Sequence, residues 1–140
     1  MRLLTVYDLM QKVAPKLAGR KIIFRLGDPP TKTALGTTSV NRDGVPVVIV
    51  RSDLGEHTLA TFLHELAHIR LGHSDKMVRS DTQKKPAYSV TVTPAQRVQP
   101  WENQADALRD RWLHYGKAHA DPTLPGDEGI LWALLEYKEY

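Results

Sequence analysis

TLATFLHELAHIRLGH, residues 58–73, is the stretch from which the rest of the chain can be read. Within it, His64, Glu65 and His68 form H-E-x-x-H. On a helix the two histidines lie one turn apart on the same face, so both imidazoles can converge on one cation. Glu65 then sits beside that cation without having to bind it. Two neutral nitrogen ligands and a carboxylate free to take a proton from water are the parts a zinc hydrolase needs. Thr58, Leu59, Ala60, Phe62, Leu63, Leu66, Ala67, Ile69 and Leu71 make the segment apolar on nearly every face, which predicts a helix buried inside the domain. Burying two histidines and a glutamate without partners is costly, and a metal supplies those partners. The plainer alternative is a core helix whose histidines are satisfied by ordinary hydrogen bonds. It suits a single histidine better than this trio.

The chain has 140 residues, a length that fits one domain spanning 1–140 and can bury a real core. Its 41% hydrophobic and 25% charged residues are ordinary for a globular protein. There is no cysteine, so disulfides and thiolate zinc sites are excluded and any metal is held by His, Asp or Glu. No stretch approaches the roughly 18 apolar residues of a membrane span, and the first residues lack a signal-peptide core, so a soluble cytoplasmic protein is expected. The net charge of +3 is unevenly spread: residues 1–50 carry eight Lys/Arg against three Asp/Glu, and 101–140 carry four against eight. A basic front half can meet nucleic acid or an acidic partner. No basic run interleaves with aromatics, however, so a solvated surface is the preferred reading and nucleic acid is not the expected partner.

In chain order, Thr5 and Asp8 resemble a helix-start box, and Val6, Leu9, Met10, Val13 and Leu17 recur at helical spacing. Pro15 is expected to bend or end this helix, with Gly19 as its stop. Residues 21–26 (KIIFRL) read as a strand closed by Gly27-Asp28-Pro29-Pro30. Residues 36–50 read as a hairpin turning through Asn41-Arg42-Asp43-Gly44, with Pro46 placing the second strand at an edge or delaying its start. A sheet of about three strands therefore precedes the H-E-x-x-H helix. Ser52 or Asp53 is expected to cap that helix, Glu56 to lie in its first turn and Gly72 to end it. Residues 74–99 form a polar insertion containing a short alternating run at Tyr88–Val92; two readings stand equally, that it borders the substrate side of the site and that it is a disordered surface excursion. Pro100 suits the first turn of a helix over 101–119, and Asp127 the cap of a last helix carrying Ile130, Leu131, Leu134 and Leu135. The fold class expected is α+β, a small sheet packed on the buried H-E-x-x-H helix and further C-terminal helices.

A catalytic zinc site takes three protein ligands and keeps one position open. His73 lies nine residues beyond His64, whereas the metzincin pattern needs its third histidine at ten, so His73 is left to line the cleft. Nothing in the spacing of His114 and His119 recommends them. Glu102 is the strongest candidate. In WENQAD, residues 101–106, Glu102 and Asp106 share one helix face four residues apart. Glu102 can bind the metal, while Asp106 accepts a hydrogen bond from the far nitrogen of His64 or His68. Ala105 between them lets the two helices approach. The bland reading is an exposed acidic pair favoured by a helix dipole.

HELAHIRLGH followed by WENQAD resembles the ImmA/IrrE metallopeptidase family, glutamate-liganded zincins, over about residues 3–113. The resemblance implies a Zn2+ ion on His64, His68 and Glu102, with Glu65 as catalytic base and Asp106 supporting a histidine. It also implies a protein substrate, because members resemble site-specific endopeptidases that cleave transcriptional repressors. A SprT-like peptidase shares the helix motif and usually brings a third histidine, where WENQAD offers a carboxylate. His73, Tyr88, His114 and Tyr115 are the candidates for an extra donor to the oxyanion. Two rivals predict different behaviour: a non-catalytic zinc-stabilised regulatory or interaction module, and a metal-free helical protein.

Overall fold

A computed structural model describes residues 6–27, 35–54, 57–73, 95–124 and 126–137. The fold is α+β. Among these residues, helix α1 (Val6–Ala18) leads to strands β1 (Ile23–Leu26), β2 (Gly36–Val40) and β3 (Pro46–Val50); helices α2 (Thr58–Arg70), α3 (Ala95–His119) and α4 (Gly126–Leu135) follow. The strands form one mixed sheet in the order β1-β3-β2, with β1 parallel and β2 antiparallel to β3. None of these helices is long and apolar enough to cross a membrane.

Alternation along the strands gives the sheet one face for the helices. Phe24, Val48 and Thr38 are Cα partners across the three strands, and all three are buried. This row meets α2: Phe24 packs on Phe62 with ring centroids 4.7 Å apart, and Thr38 hydrogen-bonds to Glu65. A one-residue slip of β2 would turn Thr38 to the other face, so the register that builds the core also places a polar group at the H-E-x-x-H helix. Leu59, Phe62, Leu63, Leu66 and Ile69 of α2 are all buried. Each contributes about 1.5–3 kcal/mol, which offsets the cost of placing Glu65 and His68 in the same helix. Leu71 is 41% exposed, because α2 has ended before it. The core continues through Leu9, Met10 and Val13 of α1, Ala105, Leu108 and Trp112 of α3, and Leu131 and Leu134 of α4.

Several boundaries differ from the sequence expectation. Pro15 neither ends nor interrupts α1, and α3 begins at Ala95, so Pro100 lies inside it and the helix takes in the end of the 74–99 insertion. Both prolines are exposed, where water can serve the carbonyl each frees four residues back. Strand β3 is central rather than at an edge; Pro46 is tolerated because it is the strand's first residue, paired with Val40. Neither Ser52 nor Asp53 caps α2, whose N-cap is His57 without a side-chain bond; Asp53 instead accepts from Arg51 at 2.8 Å. Asp127 lies inside the first turn of α4. Glu56 and the strand expected at Tyr88–Val92 lie outside the described residues. Gly72 does end α2, with φ 81°, a conformation other residues rarely adopt.

At Gly36 the sheet meets α2 so closely that a Cβ would lie 2.9 Å from Thr61 Cγ2 and 3.3 Å from Glu65 Cγ. Gly36→Ala is expected to cost about 1–3 kcal/mol by overpacking. Thr61→Ser, which removes that methyl, is expected to recover part of the loss in a double-mutant cycle read by urea denaturation. Strictly additive costs would contradict this contact.

Candidate metal centre

The centre is built where α2 meets α3. His64 and His68 project from one face of α2, and Glu102 comes from α3, thirty-four residues further along the chain. Ala105 is fully buried one turn beyond Glu102 and adds only a methyl to the contact between the helices. Glu102 Oε2 lies 2.9 Å from His64 Nε2 and its Oε1 2.9 Å from His68 Nε2, while the two imidazole nitrogens are 3.2 Å apart. The three donor residues form a group whose ligand atoms lie within 4.8 Å of one another. A tetrahedron with zinc bonds of 2.0–2.1 Å has edges of about 3.3 Å. The donors therefore stand within a few tenths of an ångström of positions from which one cation could be shared, and two imidazoles with a carboxylate are a ligand set zinc accepts.

Electrostatics point the same way. Burial opposes charge on His64, but the hydrogen bond to Glu102 and the charges of Glu65, Glu102 and Asp106 outweigh it and raise its pKa. Glu102 is held well below the usual carboxylate range, first by its bond with His64 and then by that with His68. Protons shared with these imidazoles hold the carboxylate in the cluster, and a cation competes for the same lone pairs.

Glu65 takes no part in the donor group, although it lines the same cleft as His64 and Glu102. Its carboxylate is buried, which raises its pKa, and the Thr38 hydroxyl donates to its Oε1. Asp106 stands on the far side of His64, its Oδ1 2.8 Å from Nδ1. The contact is short but off the line of a good hydrogen bond, since Nδ1 has no well-formed partner. Arg109 Nη1 lies 3.0 Å from the same Oδ1.

The other expected residues fall elsewhere. His73 is buried behind His68, its Nδ1 2.8 Å from His68 Nδ1, and does not belong to the described lining of the cleft. A helix continued five residues past His68 would carry the side chain about 140° away; the turn at Gly72 brings His73 back. His114 is exposed, and Tyr115 packs against His119 and Tyr137, so neither lines the described cleft. Tyr88 lies outside the described residues.

Two residues that do line the cleft went unnoticed in the sequence, His57 and Arg109. The signal was helical spacing: His57 lies seven residues before His64, and Arg109 seven after Glu102, each two turns along the same face. Thr38 carried no comparable signal, because its role depends on strand register.

The raised pKa of His64 has a defined sign for stability. Its protonated form stabilises the metal-free fold fully below the ordinary value of 6.5, and this contribution is lost as pH rises through the folded value. The melting temperature of the protein in chelator is therefore expected to fall as pH rises above 6.5, while zinc affinity increases over the same interval. A melting temperature that rises across that interval would contradict the assignment. Set against protein-family models, curated proteins and solved structures, the chain finds no match in any of the three.

Proposed function

We propose that the protein is a zinc-dependent endopeptidase that hydrolyses a peptide bond in a protein substrate. The observation that carries this reading is the separation of roles around one cleft: His64, His68 and Glu102 supply the donors, while Glu65 is pinned beside them by Thr38 and remains outside the set. A purely structural zinc site is closed by four ligands and has no use for a buried carboxylate held next to it.

Zinc bound to His64, His68 and Glu102 would polarise a carbonyl oxygen and acidify water. Every other part comes from the chain. Glu65 takes the proton from the water whose oxygen attacks the peptide carbon, then returns it to the amine nitrogen as the carbon–nitrogen bond breaks. Burial keeps the basicity of Glu65 above that of an exposed carboxylate, which suits a group that must hold a proton between the two steps. Thr38 fixes one of its oxygens and leaves the other for this transfer. Asp106 braces His64, and Arg109 and His57 bring donors to the cleft where negative charge develops on the carbonyl oxygen.

An extended peptide also has a place to lie. Leu35 and Gly36 border the cleft at the start of β2, and among the described residues β2 pairs only with β3. The hydrogen bond from Arg51 N to Leu35 O sets the alternation of the ladder, so Gly36 and Thr38 turn their backbone groups away from β3. Backbone pairing along such an edge recognises a polypeptide irrespective of most side chains.

Glu65→Gln is expected to keep one zinc per chain while lowering cleavage by at least about 100-fold. The readouts are elemental analysis and mass spectrometry of a proteome-derived peptide library. Glu102→Ala is expected to lose the zinc. Cleavage that survives Glu65→Gln contradicts the role of Glu65, and a zinc-loaded wild type that cleaves nothing supports a non-catalytic zinc module instead.

A further inference from the structure

His73 is a buried polar residue that the proposed reaction leaves without a task. It is 2% exposed, its ring stacks on Trp101 at 5.0 Å and 13°, and its two nitrogens face different partners. Nε2 lies 2.8 Å from Gln104 Oε1, and Nδ1 lies 2.8 Å from Nδ1 of His68. With a neutral His73 ring, only one proton assignment satisfies both contacts. Gln104 Oε1 can only accept, so His73 Nε2 carries the proton and donates. The neutral ring that burial favours then presents a lone pair at Nδ1. His68 Nδ1 must donate to it. The remaining nitrogen of His68, Nε2, is the one turned toward Glu102 and His64, 2.9 and 3.2 Å away, and there a cation would displace the hydrogen bond with Glu102.

We infer that His73 is a positioning residue that, through Gln104 and Trp101, fixes His68 in the tautomer whose Nε2 can bind a metal. The consequence for zinc rests on the peptidase reading above; the proton assignment of His73 does not. Trp101, Glu102 and Gln104 are three of four consecutive residues on α3, so one segment supplies both the third donor and the lock on the second. The two histidines are thereby oriented by different means. His64 has the Asp106 carboxylate 2.8 Å behind it, off the line of a good hydrogen bond, whereas His68 has a neutral imidazole backed by an amide oxygen. A ligating histidine commonly donates its other N–H to a carboxylate, carbonyl or water, and loss of such a partner costs 10–100-fold in metal affinity.

The test combines imidazole nitrogen NMR with zinc affinity measured by chelator competition. In wild type, His73 is expected to carry its proton on Nε2 both without metal and with zinc; a proton on His73 Nδ1 instead, with Nε2 bare, overturns the inference. His73→Phe keeps a ring against Trp101 but offers no acceptor, and is expected to weaken zinc binding about 10- to 100-fold. His73→Asn restores an acceptor near Nδ1 and is expected to recover most of that loss. Should either buried variant fail to fold, Gln104 gives the same test from an exposed position. Gln104→Leu is expected to weaken zinc binding, and Gln104→Glu, acceptor only, to preserve it. Equal zinc affinity in wild type, His73→Phe and Gln104→Leu overturns the inference while leaving the peptidase reading intact. A wild type that binds no zinc sinks the peptidase reading, and the proton on His73 still decides the local assignment.

Discussion

The close approach of α2 and α3, with Ala105 fully buried one turn beyond Glu102, is the constraint on which the rest depends. His64, His68 and Glu102 are each poor residues to bury, and they become tolerable only because the helices meet closely enough for one carboxylate to reach both imidazoles at 2.9 Å. A bulkier residue at 105 would part the helices and take the Glu102 carboxylate away from both imidazoles. The apolar surface around this contact, including Phe62, Leu66, Leu108 and Trp112, drives the approach, and the polar cluster specifies its register.

The sheet makes a separate contribution. Among the described residues it makes no hydrogen bond to the donor group, yet its register sets Thr38 against Glu65 and its glycine at 36 lets α2 lie close. In the proposed reading, ligation and proton transfer fall to different pairs of elements, α2 with α3 for the donors and α2 with β2 for the base. Disturbing one need not disturb the other, so changes in metal binding and changes in turnover can be told apart.

Much of this was legible in residue spacing. H-E-x-x-H fixes two imidazoles on one face of a helix, WENQAD fixes two carboxylates on one face of another, and Gly72 marks where the first must stop. These are local, periodic signals, and each survived folding. What could not be read was set by contacts between elements distant in sequence. The central place of β3 depends on β1 choosing a parallel partner, which Pro46 argued against locally. The true start of α3 at Ala95 overrides the helix-breaking tendency of Pro100, because an exposed proline costs little where water meets the freed carbonyl. His73 had the wrong spacing to be a ligand, and only its contacts with His68, Gln104 and Trp101 give it a role. Thr38 is one of several threonines in its region, distinguished solely by the row of the sheet in which it falls.

The most direct measurement is X-ray absorption at the zinc edge on protein purified with one equivalent of zinc. A first coordination sphere of two imidazole nitrogens and carboxylate or water oxygens at about 2.0–2.2 Å, losing its carboxylate contribution in Glu102→Ala, is the expected result. A sphere without the imidazole pair, or one identical in Glu102→Ala, would contradict a shared ion between α2 and α3.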